Sequence, residues 1–290
     1  MFILDKLKLP YWNIGFSEIA DPFSITDIKW LKHTYRDRFF ADPFILDVSD
    51  EIIKVLVEEY FFKDAKAVIT LLCVDRKDYS IINRKVVLDL PTHLSFPFIF
   101  RENEEVYIIP ENSQSGSLSI YKYNTEKDSV EYINKLLEQP AVDPVIIKRE
   151  GTYFLLCTFP FNNDEDTRLF IYHADRLTGP YEAVVVNPVK SDIRSARPGG
   201  DFFQKEGSLY RISQNCALRY GHQFNINEVF QLSKEGFQEK IVKSYLPFLP
   251  YSTGTHTCNM HKDILVIDGY IYQFRPFYAI NCFLHRGIKR

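Results

Sequence analysis

The chain has 290 residues, of which 46% are hydrophobic and 15% aromatic, and its formal net charge is −3. That is ample for a hydrophobic core, and 24 Phe with 18 Tyr favour strands over helices. The near-neutral charge excludes a nucleic-acid or polyanion binder, and no apolar run is long enough to span a bilayer as a helix.

The first residues, Met1-Phe2-Ile3-Leu4-Asp5-Lys6, turn acidic too early for a secretion signal. Five cysteines without close pairing read as reduced thiols, so the expected location is cytoplasmic. Residues 10–20, with Tyr11-Trp12-Asn13-Ile14-Gly15-Phe16, have no partner strands nearby in sequence. They are read as a strand that closes a ring against the C-terminal end, which removes open sheet edges. Ser24–His33 is a candidate for a helical turn or two.

The chain then repeats one theme at intervals of about fifty residues, the period of propeller blades. Phe39-Phe40-Ala41-Asp42-Pro43-Phe44-Ile45-Leu46 places an acid before a proline at the mouth of an apolar run. Proline suits the first residue of a strand, and it should hold Asp42 extended. Ser95-Phe96-Pro97-Phe98 and Val142-Asp143-Pro144-Val145 are variants of the stretch, and Arg197-Pro198-Gly199-Gly200-Asp201 is a looser one. Each is followed by a polar turn, a second apolar run and a third short strand, the content of a meander. Ser129–Leu137 is a further short helix candidate, with Pro140 as its stop. A weaker fifth cluster follows Gly254, with Cys258–His261, Ile264–Asp268 and Tyr270–Phe274 as strands. The prediction is an all-β, single-domain, five-bladed β-propeller with little helix. Its blades fall near 39–90, 91–138, 139–190, 195–245 and 252–290, closed by the strand at 10–20.

Strands that open blades line the central channel, so Asp42, Asp143 and Asp201 should converge near one mouth. Glycosyl chemistry uses that kind of convergence: one carboxylate acts as nucleophile or base, and another group supplies the proton. The competing reading of Asp-Pro is a turn that caps strand amides. Glu58, Glu59 and Glu111 end second strands, and Glu111 follows Pro110 in an otherwise apolar run, where a charge requires a partner. Arg194, Arg197 and Arg211 crowd the fourth blade, with Gln214 close by. Guanidinium groups suit a phosphorylated donor, or else pair with the acids and hold them ionised. His256 opens the fifth blade, and His93 and His222 lie near other blade starts. Asp164-Glu165-Asp166 reads as a polar hairpin tip rather than a metal site. The cysteines lack metal-ligand spacing and no glycine-rich phosphate loop precedes a helix, so no metal or cofactor is expected.

The stretches Phe39–Leu46, His93–Phe100, Tyr107–Ser113 and Arg197–Gly200 resemble the five-bladed propeller domain at the N-terminus of plant glucosamine inositolphosphorylceramide transferases. Bacterial relatives of that domain occur in surface-polysaccharide biosynthesis. The resemblance runs from about Trp12 to about Tyr272. More distantly the chain resembles the five-bladed glycoside hydrolases of the arabinanase/xylosidase and invertase groups. That resemblance implies that Asp42 is the first-blade base or nucleophile and that Asp143 is the third-blade acid that orients the sugar. The hydrolases' fourth-blade glutamate, their general acid, falls on Gly199, and Asp201 stands two residues further along. Glu111 is the candidate for the missing acid. The catalytic expectation is therefore Asp42, Asp143 and Glu111, with Glu59, Arg197, Asp201, Arg211, Gln214 and His256 binding substrate. The expected function is an intracellular glycosyl transfer in polysaccharide or glycolipid assembly, on a sugar or nucleotide-sugar substrate. A glycoside hydrolase and a non-catalytic sugar-binding propeller are the alternatives. The neighbouring transferase domain of the plant proteins implies association with another biosynthetic enzyme.

Overall fold

Alternating and apolar runs of five to ten residues, punctuated by polar turns, can bury their faces only by stacking sheet on sheet. The computed structural model describes residues 7–162 and 164–279. The chain opens with β1 (Lys8–Ser17) and β2 (Lys29–Trp30). Blade one is β3 (Arg38–Val48), β4 (Ile52–Phe61), β5 (Lys66–Asp75) and β6 (Ile81–Leu88). Blade two is β7 (Ser95–Glu102), β8 (Glu105–Glu111), β9 (Leu118–Asn124) and β10 (Ser129–Leu137). Blade three is β11 (Val142–Arg149), β12 (Thr152–Thr158), β13 (Arg168–Ala174) and β14 (Glu182–Ala183), and β15 (Lys190–Ser191) also pairs with β13. Blade four is β16 (Pro198–Lys205), β17 (Ser208–Asn215), β18 (Gln223–Leu232) and β19 (Phe237–Tyr245). Blade five contains β20 (Cys258–His261) and β21 (Ile264–Phe274), completed by β1 and β2. The result is a single-domain five-bladed β-propeller.

The N-terminal strand closes the ring as expected. β1 pairs with β21 without interruption, from Lys8 opposite Phe274 to Ser17 opposite Leu265. The core lies between blades: Phe44 and Leu56 of blade one pack with Phe96 and Phe98 of blade two and Val145 of blade three. Each fully buried side chain of this size contributes about 1.5–3 kcal/mol.

Four local readings need correction. Ser129–Leu137 is an edge strand, because its alternation pairs with β9 from Ser129 opposite Asn124 onward. Ser24–His33 is turn and the short strand β2, not helix. Ile264–Phe274 is one continuous strand where two were expected, since both halves pair with β1. Asp42 is not extended but left-handed (φ 49°). The cause of the last is a bulge: pairing jumps from Ala41–Glu58 to Phe44–Leu56, leaving Asp42 and Pro43 unpaired. The same jump recurs in blades two and three, where Phe96 has φ 42° and Asp143 φ 47°. Aspartate tolerates the left-handed region better than most residues, whereas Phe96 carries a strain of about 1–2 kcal/mol. The expected end of blade five at residue 290 lies outside the described residues.

Candidate active site

The recurring bulge positions the acids. It turns the side chain of Asp42 or Asp143 into the channel and frees the amide of the same residue to donate to an acid of the preceding blade. Asp42 N donates to Asp268 Oδ2 of blade five (3.4 Å). Phe96 N donates to Asp42 Oδ2 (3.1 Å), and Asp143 N donates to Glu111 Oε2 (3.3 Å). The register brings in the second strands, because Glu58 and Glu111 stand opposite Ala41 and Ser95, the residues before each bulge. The carboxyls of Glu58 and Asp42 lie against each other, as do those of Glu111 and Asp143. All four residues are buried.

Burial of this many acids shifts their protonation. Desolvation, with Glu111 adding repulsion, pushes Glu58 up to about 8. Burial also raises Asp42 well above the carboxylate range, with His256 pulling it back and Glu58, Asp143 and Asp268 adding to the rise. Burial and then Asp143 raise Glu111, against the pull of Arg197. At neutral pH Glu58 thus holds a proton. Between the ordinary 4.5 of a glutamate and about 8, the folded chain keeps a proton on Glu58 that the unfolded chain has lost, so this group lowers stability as pH rises through that window. Glu58→Gln is expected to flatten the wild-type decline by about 1.4 kcal/mol per pH unit. Urea midpoints at pH 5, 6 and 7 measure this, and parallel slopes for the two proteins would refute it.

Blades four and five supply the cations. Arg197 Nε donates to Asp143 Oδ2 (2.6 Å), and its Nη1 reaches Glu165 Oε1 (3.1 Å) and Asp166 Oδ1 (3.0 Å). Gln214 Nε2 donates to the same Asp143 oxygen (2.5 Å) and to Pro198 O (2.8 Å). His256 Nδ1 lies 2.6 Å from Asp268 Oδ2, and Nε2 lies 2.9 Å from Tyr220 Oη and 3.4 Å from Asp42 Oδ1. Asp268 also accepts the amides of His256 and Thr257 and the Thr257 hydroxyl. Burial opposes the charge on His256, but Asp268 and then Asp42 outweigh it and raise the imidazole above its usual value. Trp12 stacks on the imidazole with ring centres 4.3 Å apart. Asp42, His256 and Asp268 could offer three ligand atoms to a cation, all within 4.8 Å of one another. Both imidazole nitrogens already face protein partners, so the arrangement reads as a proton-sharing network.

Asp42, Asp143, Glu111, Arg197, Gln214 and His256 therefore stand in one cluster. Glu59, Arg211 and Asp201 stand elsewhere. Neighbours in a strand point to opposite faces, so Glu58 enters the channel while Glu59 binds Arg38 (2.9 Å), Arg84 (2.6 Å) and Thr70 Oγ1 (2.6 Å). Arg211 turns outward within its own blade to Glu239 (2.6 and 2.8 Å) and Ser195 O (2.5 Å). Asp201, directly after the two bulge glycines, lies beside Asn259 and Arg101, where burial raises it to about 7. His93 Nε2 is 3.4 Å from Glu58. The acids Glu165 and Asp166, read as part of a polar hairpin tip, reach back to Arg197. Sequence reasoning missed Asp268 and Tyr220, and it chose Glu59 where Glu58 enters the cluster. Asp268 carries the same signal that marked Glu111, an acid within an apolar strand, whereas Tyr220 sits in a polar loop and gives none.

The fourth-blade acid is excluded by packing. A Cβ on Gly199 would lie 2.6 Å from His256 O, and one on Gly200 would lie 2.1 Å from Cys258 O. The backbone of blade five occupies the place of a side chain there.

The sequence profile of the family described as glucosamine inositolphosphorylceramide transferase 1, N-terminal, matches residues 15–258. The glucosamine inositolphosphorylceramide transferase 1 of Arabidopsis thaliana is 32% identical over 211 residues, covering 69% of this chain and 27% of the plant protein. The Oryza sativa subsp. japonica protein of the same name is 27% identical, covering 71% of this chain and 28% of its own length. This chain thus spans little more than a quarter of these relatives. Among solved structures, a family 117 glycoside hydrolase from Zobellia galactanivorans superposes with TM-score 0.56 at 10% identity, covering 92% of each chain. A thermostable family-43 glycoside hydrolase gives 0.51 at 15% identity, covering 70% of this chain and 75% of its own. These likenesses establish the propeller architecture.

Proposed function

This chain belongs to the family of the N-terminal domain of glucosamine inositolphosphorylceramide transferase 1, and from that premise we propose that the propeller performs a glycosyl-transfer step in surface-polysaccharide or glycolipid assembly. The observation that carries the reading is the pair of Asp42 and Glu58: two buried carboxyls in contact, one of them holding its proton up to about pH 8. Transfer through an oxocarbenium-like transition state needs a carboxylate beside the anomeric carbon and a nearby proton source. Asp42 takes the first role, and Glu58 stores a proton beside it. Asp143, held by Arg197 and Gln214, orients the sugar.

The charge balance favours an uncharged glycoside as donor over a nucleotide sugar. Arg194 pairs with Asp192, Arg197 with Asp143, Glu165 and Asp166, and Arg211 with Glu239. Each of these three guanidiniums is committed to a carboxylate. No helix among the described residues is long and apolar enough to cross a membrane. Cys73, Cys157, Cys216 and Cys258 are free thiols, which supports a cytoplasmic location. Because the matched family is described as an N-terminal domain, association with a separate biosynthetic enzyme belongs to the same proposal.

The test incubates the protein with panels of aryl glycosides and nucleotide sugars, each with and without an oligosaccharide acceptor. Product is followed by mass spectrometry. Transfer from an aryl glycoside is expected. Release of free sugar only would make the protein a hydrolase, and inertness toward every donor would overturn the enzymatic reading. One observation favours a binding role in that event: all four acids are almost wholly buried. Glycan binding by calorimetry without turnover would establish it.

A further inference from the structure

Three groups stand in line from blade five to the channel: Asp268, His256 and Tyr220. Asp268 is fixed by two amides and a hydroxyl, and the imidazole is held between it and the phenol. The Tyr220 side chain is 45% exposed, while Asp42, His256 and Asp268 are almost wholly buried. Its hydroxyl enters the cluster and its ring forms part of the surface. The loop that carries Tyr220 is pinned on both sides. Arg219 Nη2 donates to Thr253 O (2.6 Å), and Gly221, at φ 64°, packs so closely on Trp12 that a Cβ there would lie 2.8 Å from the indole. The Arg197 guanidinium lies 4.8 Å from the Tyr220 ring centre. The phenol is a fixed member of the site.

Resting on the glycosyl-transfer reading above, we propose that Tyr220 is a catalytic residue, the terminal proton donor of an Asp268–His256–Tyr220 relay that replaces the acid excluded from blade four. The steps balance without an external reagent. As the bond from the anomeric carbon to the leaving oxygen breaks, its electron pair stays on that oxygen, which takes the phenolic proton. The Tyr220 oxygen takes the Nε2 proton of the His256 imidazolium, which becomes neutral and keeps Nδ1–H toward Asp268. The acceptor hydroxyl then bonds to the anomeric carbon and gives its proton to Asp42. From Asp42 Oδ1 the proton returns to His256 Nε2, 3.4 Å away, and the relay is reset. A phenol alone is a weak acid, but one backed by an imidazolium passes its proton without holding a full negative charge.

Tyr220→Phe is the test, since it keeps the ring packing and removes only the hydroxyl. The rates of wild type and variant are compared on two aryl glycosides of the sugar that wild type accepts, one with a 4-methylphenyl and one with a 2,4-dinitrophenyl leaving group. The relay requires a loss on the order of 10²-fold or more on the poor leaving group and little loss on the good one, which departs unassisted. An equal loss on both would make Tyr220 a positioning residue, and no loss on either would remove it from the chemistry; both outcomes overturn the proposal. A wild-type chain inert toward all donors sinks the underlying reading instead. In that case the Nε2 proton resonance of His256 still reports on the hydrogen bond: an unshifted signal in Tyr220→Phe would refute the link itself.

Discussion

Asp42→Asn is expected to reduce glycosyl transfer by about 10²- to 10⁴-fold, the range for removing a positioned acid–base group, while leaving the propeller folded. The substitution isolates charge from shape. Asparagine tolerates the left-handed backbone that the bulge imposes at this position (φ 49°). Its amide oxygen can still accept the Phe96 amide, as Asp42 Oδ2 does at 3.1 Å. What is lost is a carboxylate that can face a developing positive charge or accept a proton. The neighbours of Asp42 predict the stability change. Glu58, Asp143 and Asp268 all push its protonation upward, so a neutral amide relieves repulsion inside a buried cluster. The melting temperature should hold or rise while turnover falls, the trade-off expected where an active site stores unfavourable electrostatics. Initial rates and calorimetry on the same preparation measure both. Unchanged turnover would remove Asp42 from the chemistry.

Arg197→Met should have the largest effect on the fold, about 3–5 kcal/mol of lost stability, as for any buried ion pair left with one partner. Arg197 is 4% exposed and meets three carboxylates. Methionine fills the same volume but leaves Asp143 beside Glu111 with no cation. Lysine is not expected to rescue, because a single ammonium cannot reproduce one contact through Nε and others through Nη1. Arg197→Met with Asp143→Asn should recover part of the loss, since the stranded charge is then gone. Urea denaturation gives the numbers if the slope stays constant across the variants. A loss below about 1 kcal/mol for Arg197→Met would mean that water or a neighbour compensates Asp143, and that the pair is not structural.

Much of this architecture is local physics and could be read from the chain alone. The blade period, the strand character of each run and the closure of the ring follow from alternation, turn residues and a homeless N-terminal strand. The acid before proline marks Asp42 and Asp143 because few other contexts put a carboxyl at the head of an apolar strand. That signal is carried by adjacent residues, so no fold is needed to see it.

Which acids meet was decided by register and by the bulge. Glu58 and Glu59 are neighbours in sequence, and parity says only that they face opposite ways. The pairing of Ala41 with Glu58 sends Glu58 to the channel and Glu59 to Arg38 and Arg84. Arg211 and Arg197 look alike in sequence, but the carboxylate within reach of Arg211 belongs to its own outer strand. Asp268, Tyr220 and the hairpin acids Glu165 and Asp166 join the site across sequence separations that no local pattern records. Closing five blades into a ring fixes those distances, because each blade's inner strand must pack on the next. That same packing fills the space at Gly199, where the resemblance to five-bladed hydrolases had implied an acid.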